Sequence, residues 1–359
     1  MKEISWWRTK VEQEEIKHIE DTILHEHLSQ GEVTTEFEEK LARLLNVHYV
    51  LATTSGSMAL FLALLALGIG RDDEVIVPDR TFIATAHAVI LAGAKVVLVD
   101  TLLDIPLIDC SLIRSKITPR TKAIIAVHIN GRSANMEEIN WIAKEHGLFV
   151  VEDACQALFS KNVAGFLGTQ SDVGCFSLGV TKLITTGQGG LIITKKKELY
   201  EKMKLMRTHG VINTFDGVYD QFGFNFRFTD IAASIGIEQL SRIPVRIEHV
   251  NKIYTKYSSA MAMLPFLKMI PVDITSGEIP LYVEVLCEKR DTLKDFLISH
   301  GISARPFTRN LHRSAYLGNT GDFPHSNIFE QKGLFLPSGV TQPLENIDYV
   351  IEVLSKFKS

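Results

Sequence analysis

Hydrophobic positions in residues 11–45 recur at helical spacing, with Ile16, Ile19 and Ile23 followed by Phe37, Leu41, Leu44 and Leu45. This otherwise polar stretch therefore predicts helices. From residue 47 the pattern becomes short apolar runs alternating with helical segments. Strands are expected over 47–53, Glu74–Pro78, 95–100, 122–128, Phe149–Asp153, 173–178 and 191–194. Between them, residues 58–67, 82–91 and Met136–His146 read as helices, the last stopped by Gly147. Consecutive apolar residues such as Phe149-Val150-Val151 suit strands buried on both faces, so a mostly parallel sheet covered by helices follows. Beyond residue 229 the pattern shifts. Helices are expected over 229–240, 244–263, 292–300 and 346–357, with strands over 281–287 and 302–305. The chain thus divides into a large α/β domain, residues 1–249 with its N-terminal helical segment, and a small C-terminal α+β domain, residues 250–359.

Composition narrows the function classes. The 359 residues are 46% apolar and 22% charged, ordinary for a globular protein. With 38 basic against 42 acidic residues the formal net charge is −4, so no basic field favours nucleic acid. The longest apolar run, residues 58–70, falls short of the roughly 18 residues a membrane span needs. The first residues lack the apolar stretch of a signal peptide. Four cysteines without a CxxC pair fit a reducing cytosol better than a disulfide scaffold. The twelve histidines show no HExxH-type spacing, so no metal site is expected.

Three segments at expected strand ends could carry chemistry, since α/β sheets bind ligands at the carboxyl ends of their strands. Thr53-Thr54-Ser55-Gly56-Ser57 enters a helix; it either only caps that helix or cradles an anion such as phosphate. It is not a P-loop, because the GxxxxGK[ST] pattern is absent. Glu152-Asp153 ends an apolar strand, where a desolvated acid calls for a cation or serves as a structural pair or cap. Lys182 sits in an apolar stretch with no acidic neighbour from Ser177 to Gln188. Burial there would favour the neutral amine needed for imine formation, although most lysines are merely solvated. Gly187-Gln188-Gly189-Gly190 precedes a strand and is not GxGxxG, so it gives no support to a nicotinamide-dependent oxidoreductase. An anion cradle, a buried acid and an imine-forming lysine together are what pyridoxal phosphate requires.

With these motifs the sequence resembles the sugar-nucleotide aminotransferases of the DegT/DnrJ/EryC1/StrS type, within the fold-type-I pyridoxal phosphate enzymes. The resemblance runs through Gly31 to Phe37-Glu38, Ser55-Gly56-Ser57-Met58-Ala59-Leu60, and Asp73-Glu74-Val75-Ile76-Val77-Pro78 with Thr81-Phe82-Ile83-Ala84-Thr85. It continues through Thr118-Pro119-Arg120-Thr121-Lys122-Ala123-Ile124, Val127-His128, Glu152-Asp153-Ala154-Cys155-Gln156-Ala157, Phe176-Ser177 to Gly190, and Gly223-Phe224-Asn225-Phe226-Arg227 with Thr229-Asp230-Ile231.

The resemblance implies roles. Lys182 forms the imine and acts as acid/base, Asp153 pairs with the pyridine nitrogen, and Gln156 bonds the phenolic oxygen. Phe82 stacks on the ring, and Gly56, Ser57 and Ser177 bind the phosphate. Asn225 reaches the phosphate of the partner subunit, which implies a homodimer with a shared active site. The implied reaction moves an amino group, usually from glutamate, to a keto-deoxysugar on a nucleotide diphosphate, as in surface-polysaccharide biosynthesis. Arg305, Arg309, His312 and Arg313 form a basic cluster; Arg309 and His312 are expected to meet the substrate, while a solvated basic face is the plainer reading. Three departures stand out: Ser57 where Thr is commoner, Gln188 where Glu is frequent, and Leu158-Phe159 where a small residue is usual, which is expected to reshape the pocket floor. A lysine at 182, where related sugar dehydratases carry histidine, favours amino transfer over dehydration. A non-catalytic regulatory protein of the same fold is the reading from another class.

Overall fold

The computed structural model describes residues 3–211, 219, 221–318 and 321–358. Its largest sheet has seven strands: β1 (Tyr49–Thr53), β2 (Glu74–Pro78), β3 (Lys95–Val99), β4 (Thr121–Val127), β5 (Phe149–Asp153), and, after a small hairpin of β6 (Lys161–Asn162) and β7 (Gly165–Phe166), β8 (Val173–Ser177) and β9 (Gly190–Thr194). The order is β1-β9-β8-β5-β4-β2-β3. Every pairing is parallel except those of β9, which runs against both β1 and β8. The sheet is therefore mixed and mostly parallel, as the apolar runs indicated. The strand direction has a functional consequence. The carboxyl ends of β1, β2, β4, β5 and β8 share one edge, and the register Thr53↔Gly190 brings the start of β9 to that same edge.

The first four helices are α1 (Gln13–Leu24), α2 (Glu32–Leu45), α3 (Gly56–Ala66) and α4 (Ala84–Leu91), then α5 (Cys110–Ile113), α6 (Met136–His146), α7 (Lys197–Arg207), α8 (Asp230–Leu240) and the long α9 (Ile243–Ala260). Helix α3 is apolar all round and largely buried, as a helix between sheet and neighbours should be. Asp230 explains two of the sequence motifs at once. Its Oδ1 accepts from Gly31 N at 2.8 Å, Thr34 N at 2.9 Å and Thr34 Oγ1 at 2.6 Å, so the start of α8 caps the start of α2. A Cβ at Gly31 would lie 2.7 Å from Asp230 Oδ2, so a side chain there would push the capping carboxylate aside.

Helix α1 departs from its periodicity. Ile16 and Ile23 are about half exposed, whereas Glu15 and Thr22 are buried. Ion pairing decides the face: Glu15 accepts from Arg242 and Gln239, and His18 Nδ1 meets Glu238 Oε1 at 2.9 Å.

A second, antiparallel sheet follows α9: β10 (Lys268–Met269), β11 (Val283–Leu286), β12 (Arg305–Pro306) and β13 (Gly333–Leu336), in the order β10-β11-β13-β12. With α10 (Arg290–Ser299), α11 (Pro324–Lys332) and α12 (Leu344–Ser355) it surrounds its own core, which includes Tyr257, Val285, Leu293, Leu334, Ile347 and Val350. The boundary expected at residue 250 falls inside α9, one continuous helix. Strand β13 and helices α7 and α11 were not expected from the pattern. An N-terminal strap is also held to this second sheet, with Ile4 bridged to Ile302 and Trp7 to Ser338. None of the described helices is long and apolar enough to cross a membrane.

Candidate active site

A cleft of about 580 Å³ opens at the strand edge described above, and it gathers residues from four of the expected motifs: Gly56, Ser57, Phe82, Asp153, Gln156, Ser177 and Lys182 all line it. Two other grooves, of about 840 and 710 Å³, contain none of these.

The anion cradle is built by the start of α3. Ser55 caps the helix through its hydroxyl, which accepts from Met58 N at 3.2 Å. The N–H groups of Gly56 and Ser57, in the first turn, have no intrahelical acceptor and sit at the positive end of the helix dipole. The cap is therefore formed, and the same turn leaves two N–H groups without an intrahelical acceptor. A Cβ at Gly56 would lie 2.8 Å from Cys155 Sγ and 2.9 Å from Ser177 Cβ, so glycine is what lets this turn approach β8. Ser177 adds a hydroxyl from the end of that strand.

The two acids ending β5 separate because successive strand residues face opposite sides. Glu152 turns away from the cleft. Burial pushes its carboxyl up, but His128 Nε2 at 2.9 Å and the N–H groups of Gly168 and Gln170, both at 2.7 Å, outweigh this and hold it below its ordinary value. Ala134 N donates to His128 Nδ1 at 3.1 Å, so the Nε2 hydrogen goes to Glu152. His128 is fully buried at the end of β4. Asp153 faces the cleft. Its Oδ2 accepts from Thr85 Oγ1 at 2.7 Å and its Oδ1 from Cys155 N at 3.2 Å. Thr85 in turn meets Thr81 Oγ1 at 3.0 Å, one helical turn back.

Lys182 is half-buried, on a loop whose backbone is pinned from three sides. Trp7 Nε1 donates to Val180 O at 3.1 Å, Tyr282 Oη to Thr181 O at 3.0 Å, and Arg246 Nη1 to Leu183 O at 2.9 Å. No carboxylate pairs with its amine among the described residues. Gln156 Oε1 accepts from Asn130 N at 2.8 Å, which leaves its amide N–H groups for the cleft. Phe82 is 57% exposed in the cleft wall, an aromatic face with no core partner. Gln188 also lines the cleft, and Leu158 borders a small void beneath it with Gln156, Ser177 and Lys182, while Phe159 packs into the core.

The remaining expected residues lie elsewhere. His312 is committed to Asp79 (Nδ1 to Oδ2 2.7 Å) and stacks on Phe323, and neither it nor exposed Arg309 lines the cleft. Arg313 pairs with Glu330 at 3.4 Å. Of the basic cluster only Arg305 reaches the cleft, where its guanidinium sits 4.6 Å over Trp6. Asn225 is exposed, bonded to Arg227 and outside the cleft of its own chain. Sequence reasoning missed Trp6, Arg80, Thr85, Tyr282 and Glu284. Only Thr85 carried a signal, its four-residue spacing from Thr81.

A model of the DegT/DnrJ/EryC1/StrS aminotransferase family matches residues 9–355. The chain belongs to this family. GDP-perosamine synthase of Escherichia coli O157:H7 is 33% identical over 334 residues, 92% of each chain. Among solved structures, S. venezuelae DesV in complex with a ketimine intermediate is 29% identical, with a TM-score of 0.91 over 96% of this chain and 95% of that one. E. coli GDP-4-keto-6-deoxy-D-mannose-3-dehydratase with bound hydrated PLP is 25% identical, with a TM-score of 0.90 over 98% and 99%. The fold is thus that of the family's pyridoxal phosphate enzymes.

Proposed function

We propose that this protein is a pyridoxal-phosphate aminotransferase that moves an amino group from an amino-acid donor, glutamate, to the ketone of a nucleotide-linked keto-deoxysugar in the cytoplasm, for amino-sugar and polysaccharide synthesis. The observation that carries this reading is the meeting of Lys182, Asp153 and the α3 N-terminus in one cleft. The residues fit the cofactor: glycine at 56 lets the α3 N-terminus sit close against Cys155 and Ser177, beside Asp153 and Lys182 in the same cleft. When bound, pyridoxal phosphate supplies an aldehyde that captures amines and a ring that accepts the electron pair released when the α-proton leaves.

The chain's own residues supply the rest. The N–H groups of Gly56 and Ser57 with the Ser177 hydroxyl hold a phosphate. Asp153, fixed by Thr85 and Cys155, keeps a ring nitrogen protonated. Gln156 donates to the phenolic oxygen and Phe82 covers the ring face. Lys182 Nζ takes the α-proton of the donor and returns a proton in the reverse half. Asn225 serves the partner's site in a homodimer. Because the first product leaves before the keto-sugar enters the same site, the two halves give ping-pong kinetics.

Lys182→Ala is expected to lose the visible absorption band of the bound cofactor and all turnover; a variant that keeps full activity would refute the assignment. Dehydration is the second reading, because a 3-dehydratase shares the fold. Labelled glutamate separates the two, since only a transaminase passes its nitrogen to the sugar.

A further inference from the structure

Arg80 follows β2, between Asp79 and the Thr81-Phe82 pair, and it is 3% exposed yet lines the cleft. Its Nη1 donates to Thr308 O and faces Asn310 Oδ1 at 3.4 Å, and its guanidinium lies 4.8 Å over the Phe307 ring. Nε is sealed from solvent without an acceptor, and Nη2 has none among the described residues. No carboxylate among the described residues forms an ion pair with it. Glu284, Glu330 and Asp79 act on it only through space, and each is engaged elsewhere. Glu284 Oε2 accepts from Arg132 Nη1 at 2.5 Å and Asn130 Nδ2 at 2.9 Å, Glu330 from Arg313 at 3.4 Å, and Asp79 from His312 at 2.7 Å. Burial lowers the guanidinium to about 10, so the cation stays charged at neutral pH while its desolvation is only partly offset by those three acids.

A buried, charged guanidinium that lines a ligand cleft with donors unpartnered among the described residues lacks a paired anion. Arginine's planar donors match carboxylate and phosphate oxygens in pairs. We propose that Arg80 is the substrate-anion anchor of this site, its unpaired edge taking an oxyanion of the bound substrate. The two sources are the carboxylate of the amino donor and the diphosphate of the sugar nucleotide. Naming those sources rests on the aminotransferase reading; the unpaired cation does not. The opposing interpretation is that Arg80 only ties the β2–α4 loop to the second sheet's loop through Thr308.

The test compares the wild-type holoenzyme with Arg80→Met and Arg80→Lys by calorimetric binding of glutarate and of inorganic diphosphate, beside thermal unfolding. The anchor reading expects one probe to bind at least tenfold more weakly to Arg80→Met, with Arg80→Lys intermediate. Loss of glutarate binding identifies the donor carboxylate, and loss of diphosphate binding the nucleotide. If Arg80→Met does not fold, the Arg80→Lys comparison decides, since lysine keeps the charge but not the fork. Equal affinities across all folded variants, with only the melting temperature lowered, would overturn the proposal, as would a wild type that binds neither probe. A wild type that binds a probe through Arg80 but passes no label to any keto-sugar would sink the proposed function and leave the anchor standing.

Discussion

Replacing Thr85 by Val isolates the support beneath Asp153. Valine nearly matches threonine in shape, so a fully buried site keeps its packing and loses one hydroxyl. That hydroxyl is a 2.7 Å donor to Asp153 Oδ2, and the other Asp153 oxygen has only the longer 3.2 Å contact from Cys155 N. A hydrogen bond to a charged group contributes about 1.5–3 kcal/mol, and the oxygen left without its donor is desolvated, so the cofactor-free protein should lose stability of that order. Thr81 loses its partner too, at 3.0 Å, but a neutral pair adds only about 0.5–1.5 kcal/mol. The functional effect follows from geometry. An Asp153 side chain held at one oxygen rather than two can rotate away from the ring nitrogen, so the half-reaction with glutamate should slow about tenfold for each 1.4 kcal/mol lost in orientation. Urea unfolding of the apoprotein and stopped-flow absorbance of the holoenzyme read the two effects separately. Combining Thr85→Val with Asp153→Asn should add little to the loss from Asp153→Asn alone, because both act through one bond. Strict additivity, or unchanged urea midpoint and half-reaction rate in Thr85→Val, would refute the reasoning.

Much of this site was legible because its chemistry lies at strand ends, and strand ends are where apolar runs stop. The run ending in Glu152-Asp153 located the acid, and the small residues after β1 located the cradle. Alternation also explains why only one of the two acids enters the cleft, although nothing local says which one: Glu152 is claimed by His128 and by backbone N–H groups of the Gly168–Gln170 turn. Most of what escaped detection comes from far along the chain. Trp6, Tyr282 and Glu284 join the motif residues only because the N-terminal strap and the second sheet fold over the edge of the first. Periodicity reports local faces and carries no trace of such closure. The α1 stripe shows the same limit from the other side, since the Glu15–Arg242 pair, 227 residues apart, sets which face is buried. His312 shows a related limit: a histidine in a basic segment reads as a ligand for anions, and nothing local tells that an acid following β2 holds its ring outside the cleft lining.

Gly56→Ala puts a methyl carbon 2.8 Å from Cys155 Sγ and 2.9 Å from Ser177 Cβ, so the α3 turn must shift outward, costing about 1–3 kcal/mol as overpacking does. Titration with pyridoxal phosphate should show weaker binding than wild type, and unaltered affinity would show that the cradle is not at this turn. The last expectation concerns acid stability, away from the cleft. The Thr118 hydroxyl at 2.6 Å, with Arg120 at 2.8 Å, holds the Glu74 carboxyl below its ordinary value against the opposing effect of burial. A depressed carboxyl binds fewer protons folded than unfolded, so its contribution is complete above the unfolded value of 4.5 and is lost as pH falls through the lower folded value. Glu74→Gln should therefore cost stability at pH 7 and cost progressively less as the medium is acidified below that point. Urea midpoints for both proteins at neutral pH and in mild acid measure this. A gap between the two that stays constant with pH would mean that Glu74 acts through packing alone, because only a titrating charge makes the difference depend on proton concentration.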